Sequence, residues 1–130
     1  MKFTAKQCDQ IFATIERYGA VEVTPDLGIS LTAIRRMLAP IVAKFANSVD
    51  ALVLKYGGRY EKGKAGNVTL MFYDDKKEKS PENMQDYLGE YRKLSDVISE
   101  IDIEKIPVEI QRAQKFLPLD FFIKLELLLE

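Results

Sequence analysis

The chain has 130 residues, a formal net charge of −1, 47% hydrophobic and 10% aromatic side chains, one cysteine, and no histidine or tryptophan. That length suits a single domain of residues 1–130 with a core of its own, and the composition is that of a folded chain. Lacking histidine, the chain is excluded from Ser-His-Asp and Cys-His catalysis and from ordinary zinc sites, and a lone cysteine excludes an internal disulfide.

Charge is uneven, at net +2 over residues 1–58, +2 over 59–79 and −5 over 80–130. The small basic excess of the first half argues against a nucleic-acid partner, and the two halves could pair within one fold or between subunits. No uninterrupted apolar run approaches 18 residues, and the first six residues carry no signal-peptide core. The expectation is a cytoplasmic protein with no membrane partner.

The first helix is signalled by Thr4 as N-cap with Gln7 three residues on, a capping box flanked by Phe3 and Cys8 as a hydrophobic staple. Cys8, Ile11, Phe12, Ile15 and Tyr18 form its apolar face, and Gly19 is expected to end it in the left-handed conformation. Cys8 sits on that face as a core residue rather than a reactive thiol. Residues 20–23 read as a short strand and Thr24-Pro25-Asp26 as a turn. Ser30 is then expected to cap a long helix over residues 30–56, about 40 Å in length.

Ile34, Leu38, Ile41, Phe45, Val49, Leu52 and Tyr56 make a stripe along that helix, widened by Leu31, Met37, Val42, Ala46 and Val53. Pro40 interrupts it and predicts a kink, since the stripe stays in phase on both sides. Gly57-Gly58 ends it. Residues 59–62 and 67–73 flank a glycine-rich turn and read as a β-hairpin, which alone is marginal in water. The charged run 74–79 reads as a loop. Ser80-Pro81 opens a further helix carrying Met84, Tyr87, Leu88, Tyr91, Leu94 and Ile98.

Residues 101–110 read as an extended segment that could join the hairpin, with Pro107 favouring an edge. Gln111 to Phe116 reads as one or two helical turns. Asp120 is expected to cap a last helix in which Phe121, Phe122, Ile123, Leu125, Leu127, Leu128 and Leu129 are apolar nearly all round. The fold class is therefore α+β and helix-dominated: one long kinked helix, two or three others, and a small antiparallel sheet with a hairpin.

Three constellations carry candidate chemistry. Glu100, Asp102 and Glu104 alternate and, with Asp86 and Glu90 at i and i+4, could offer oxygen ligands to a hard cation. Arg35 and Arg36, with Arg59, Tyr60 and Lys62, combine cations and an aromatic ring as a nucleotide-like anion would require. The third is surplus apolar surface. Ile34, Leu38, Ile41, Phe45, Val49, Leu52, Phe121, Phe122 and Leu125 exceed what a small monomer easily buries, which points to an interface.

In length and layout over the whole chain, and without any diagnostic motif, the sequence resembles small phage-encoded accessory proteins of uncharacterised function. The leading expectation is a non-enzymatic interaction protein with no cofactor and no metal, forming a dimer or higher homo-oligomer and acting by binding another protein. The alternatives are a binder of a small anionic ligand such as a nucleotide, and a carboxylate-based metal-dependent enzyme.

Overall fold

Phe3 and Thr4 set the first element in place. A computed structural model describes all of residues 1–130. Thr4 Oγ1 accepts the Gln7 backbone N–H at 3.1 Å while Gln7 Oε1 accepts that of Thr4 at 2.9 Å, the expected capping box. In front of it Lys2–Thr4 is a short strand, β1, and behind it Ala5–Arg17 is helix α1. Cys8, Ile11 and Ile15 are buried along α1 as the spacing predicted. Gly19 does not take the left-handed conformation: the helix closes through bonds such as Gly19 N–H to Glu16 O at 3.3 Å, a tightened last turn that needs no positive φ. The expected strand over residues 20–23 is absent.

Helix α2 spans Pro25–Lys55, starting five residues before Ser30. Thr24-Pro25-Asp26 is a helix start rather than a turn, with proline in the first helical position and an acidic residue in the first turn. Gly28 lies inside the helix, where a Cβ would meet only the Val23 side chain at 3.7 Å. Pro40 does not break it. Arg36 and Pro40 both face solvent, so water can meet the carbonyl that the proline leaves unpaired.

The remaining elements are strands β2 (Gly58–Lys62), β3 (Val68–Phe72) and β4 (Ile98–Glu100), and helices α3 (Pro81–Ser95), α4 (Val108–Arg112) and α5 (Leu119–Lys124), with a 3-10 turn over Glu126–Leu128. The architecture is α+β and helix-dominated, with two antiparallel sheets of two strands each, β1-β4 and β2-β3. The chain forms two compact units, Met1–Ala43 with Ile98–Glu130, and Lys44–Val97.

In the first unit the core gathers Phe3, Cys8, Ile11, Leu27, Leu38, Ile106, Phe121, Leu125 and Leu128, all under 3% exposed. The segment after α3 pairs with β1, through Lys2↔Glu100 and Thr4↔Ile98, and does not join the hairpin. Ile98 is thus in a strand, not on the inner face of α3. Ile106 bonds the chain's end instead, its N–H donating to Leu128 O at 2.8 Å. The final helix is broken: α5 gives way to the 3-10 turn, with Asp120 inside the first turn rather than at the cap.

In the second unit Phe72 packs on Tyr87 with ring centroids 4.7 Å apart, and Val53 completes the buried centre. The hairpin register runs from Gly58↔Phe72 to Lys62↔Val68. Gly57, at φ 70°, releases the chain from α2, and Gly66, at φ 82°, turns the hairpin. Ser80 caps α3 by accepting the Asn83 N–H at 3.2 Å, with Pro81 in the first turn as expected. Asn83 Nδ2 donates to the carbonyls of Tyr56 at 3.3 Å and Tyr73 at 3.1 Å, tying three segments together. The charged run 74–79 is an ordered turn, in which Asp74 Oδ1 accepts the N–H groups of Lys76 and Glu78.

Candidate functional site

The cationic candidates divide between the units. Arg35 and Arg36 belong to the first, Arg59, Tyr60 and Lys62 to the second. Arg35 is already engaged: its guanidinium pairs with Glu16 of α1 and lies 5.4 Å from the Phe12 ring centroid. Arg36 is exposed. Arg17 and Lys124, which no sequence motif marks, border a groove of about 500 Å³ with Gln10, Thr14 and Ile123. Lys124 is held by Asp120 at 3.4 Å, and Asp120 also accepts the Tyr18 hydroxyl at 2.8 Å. That hydroxyl, more than the lysine, holds the Asp120 carboxyl below its ordinary range. A second cleft beside Arg35 and Glu16 encloses only about 190 Å³.

On the hairpin, the pleat puts Arg59 and Glu61 on one face of β2 and Tyr60 and Lys62 on the other. Arg59 lies 5.6 Å from the Tyr73 ring centroid, and the Tyr73 hydroxyl donates to Glu61. Tyr60 is 62% exposed. Ladder bonds at both ends of the hairpin fix its outward groups. Tyr73 N–H donates to Gly57 O at 3.0 Å, and Gly63 N–H to Asn67 O at 2.7 Å. With this register the odd residues of β2 bond β3, and the backbone groups of Gly58, Tyr60 and Lys62 point away from it.

The carboxylates do not converge. Asp86 and Glu90 lie on α3 in the second unit, while Glu100, Asp102 and Glu104 lie in the first. Only Glu100 is in a strand, so the alternation expected to put three carboxylates on one face is not realised. No group of three or more acidic or cysteine side chains is arranged to hold a metal ion. Glu90 instead accepts the Tyr56 hydroxyl at 3.0 Å and Lys55 Nζ at 3.3 Å, and the tyrosine bond leads in pulling its carboxyl below the ordinary range.

The apolar residues expected at an interface are largely used within the chain. Ile34, Leu38, Phe121 and Leu125 are buried, and Ile41 and Phe122 pack against them in the first core. Val49 and Leu52 pack on the second core, where Phe45 meets Tyr91 at 6.0 Å. Other apolar side chains stay uncovered: Ile29 at 71% and Leu54 at 79% on α2, and Phe116, Leu119, Ile123 and Leu127 near the chain's end. The all-round apolar C-terminus was the sequence signal for that last group. Its inner members Phe121, Leu125 and Leu128 leave Leu119, Ile123 and Leu127 facing out.

By length and composition α2 could cross a membrane, since an 18-residue stretch of it reaches a mean hydropathy of 1.5. A count of uninterrupted apolar residues misses this, because Lys44 and Asp50 divide the run. No protein-family model, curated protein or solved structure matches the chain.

Proposed function

We propose that this chain is a non-enzymatic interaction protein that associates with itself and acts by binding another protein. The observation that carries this reading is α2, whose apolar 18-residue stretch is only 17% buried. Covering an exposed leucine or isoleucine such as Leu54 or Ile29 returns about 1.5–3 kcal/mol each, so α2 gains from a cover. A protein surface suits it better than hydrocarbon. Lys44 and Asp50 stand exposed on α2, and such charges cost about 2.5–3.5 kcal/mol each at the centre of a spanning helix.

The other readings have less behind them. An anion site would draw on Arg35, already paired with Glu16, and a carboxylate metal site on groups divided between two units. Light scattering on the size-fractionated protein at micromolar concentration tests the proposal. A dimer or larger species is expected, and a strict monomer would count against self-association.

A further inference from the structure

We infer that the free edge of β2 is where two copies of the chain join, making one antiparallel sheet in the order β3-β2-β2-β3. This rests on the self-association proposed above and gives it a surface separate from the apolar stretch of α2, which is left for the second protein. An edge strand is a template for pairing unless something blunts or covers it. The outward N–H and C=O groups of Gly58, Tyr60 and Lys62 find no hydrogen-bond partner within the chain. The outer edge of β3 is closed at one end, where Phe72 O accepts the Ser80 N–H at 2.9 Å and Tyr73 bridges to Lys79. β2 is thus open along its whole length, whereas β3 is open only at its Val68 and Leu70 end.

The residues along this edge are self-complementary. Antiparallel pairing centred on Tyr60 is two-fold symmetric and sets Arg59 opposite Glu61 of the second copy, and Glu61 opposite its Arg59. Tyr60 meets Tyr60 of the second copy as a hydrogen-bonded pair, and Gly58 meets Lys62 in the same way, which uses the outward groups. Edge lysines normally discourage pairing, but here Lys62 falls opposite Gly58, whose face is covered by the Val53 and Phe72 side chains and carries no charge.

Neighbouring registers fail on charge. Only outward residues can pair with outward residues, so the strands slip in steps of two. One such slip sets Arg59 against Arg59 and the other sets Glu61 against Glu61. In-register parallel pairing opposes like charges at both positions. One register is favoured, and it enlarges a two-stranded sheet that is marginal alone.

The test is the dimer dissociation constant by analytical ultracentrifugation for the parent, for Glu61→Arg, and for the exchange Arg59→Glu with Glu61→Arg. The single change converts two attractive cross-strand pairs into repulsive ones and is expected to weaken dimerisation about tenfold. The exchange restores the pairs and should recover most of the loss, with circular dichroism confirming the hairpin in each variant. A parent that stays monomeric overturns both this inference and the self-association beneath it. A dimer unaffected by Glu61→Arg overturns the edge alone. An independent readout is Tyr60→Cys, which places the thiols on facing Cα atoms about 5.5 Å apart, within disulfide reach. Mild oxidation should link that variant and not Val68→Cys on the far strand, and the opposite pattern would refute the register.

Discussion

Gln114 holds Thr24 by two hydrogen bonds across ninety residues of sequence: its Oε1 accepts the Thr24 N–H at 3.1 Å, and its Nε2 donates to Thr24 Oγ1 at 2.8 Å. The same amide also donates to Ile110 O at 2.8 Å. Thr24 directly precedes α2, so the start of the longest helix is secured by a residue from beyond α4. Replacing Gln114 by alanine removes both bonds to Thr24 and should cost about 1–2 kcal/mol in urea unfolding. An unchanged midpoint would mean that water replaces the clamp fully.

Two glycines should respond in opposite directions to alanine. At Gly89, inside α3, an added Cβ meets nothing within 4 Å, so Gly89→Ala should stabilise by about 0.5–1 kcal/mol. At Gly57, with φ at 70°, the Cβ would stand 2.3 Å from the Tyr73 carbonyl oxygen, a backbone atom held by the Asn83 amide. Gly57→Ala should therefore destabilise by at least about 1 kcal/mol. Thermal melts of the pair test the contrast.

Asn83 offers a test of donor chemistry in the second unit. Its Nδ2 serves two carbonyls, those of Tyr56 and Tyr73. Asn83→Asp keeps the shape but replaces the donor with an acceptor that repels both. It should be more destabilising than Asn83→Ala, which loses about 1–2 kcal/mol for two bonds. Chemical denaturation of the two variants ranks them.

What was legible in the sequence was local. The capping box at Thr4 and Gln7, the Ser80-Pro81 start of α3 and the Gly63–Gly66 turn each depend on residues within a few positions, and each formed. The boundaries that differ depend on distant partners. Ser30 looked like the cap of α2 because Gln114, which secures Thr24, lies in another part of the sequence. Ile98 looked like a helix-face residue because its strand partner, Thr4, lies at the other end of the chain. The same holds for the candidate sites. Residue types flagged Arg35 and Arg59, but their engagement by Glu16 and Tyr73 is tertiary. The free edge of β2 depends on which backbone groups the register turns outward.

Cys8 should be chemically silent in the native protein. It is 0% exposed in the first core, and burial pushes its thiol above the ordinary value, leaving little thiolate at neutral pH. A thiol reagent such as Ellman's should react with it slowly under native conditions and rapidly in denaturant. Fast native labelling would mean that α1 opens readily.

Stability should fall on both sides of neutrality because of tyrosine–carboxylate bonds, of which only Tyr18–Asp120 acts on both sides. Glu90 and Asp120 are depressed first by the Tyr56 and Tyr18 hydroxyls and only then by Lys55 and Lys124. A carboxyl depressed in the folded state stabilises above its unfolded pKa, and the benefit is lost as pH falls through the folded value. Melting temperature should thus drop as pH goes below the ordinary carboxylate range. At the alkaline end the Asp120 bond leads in raising Tyr18, and the Glu61 bond in raising Tyr73. Those contributions are present below the unfolded tyrosine pKa and vanish as pH rises through the folded ones. Because hydrogen bonds rather than ion pairs lead in each case, added salt should leave most of the acid-side slope intact. Glu90→Gln with Asp120→Asn should flatten it, and a slope abolished by salt alone would assign the effect to the lysines instead.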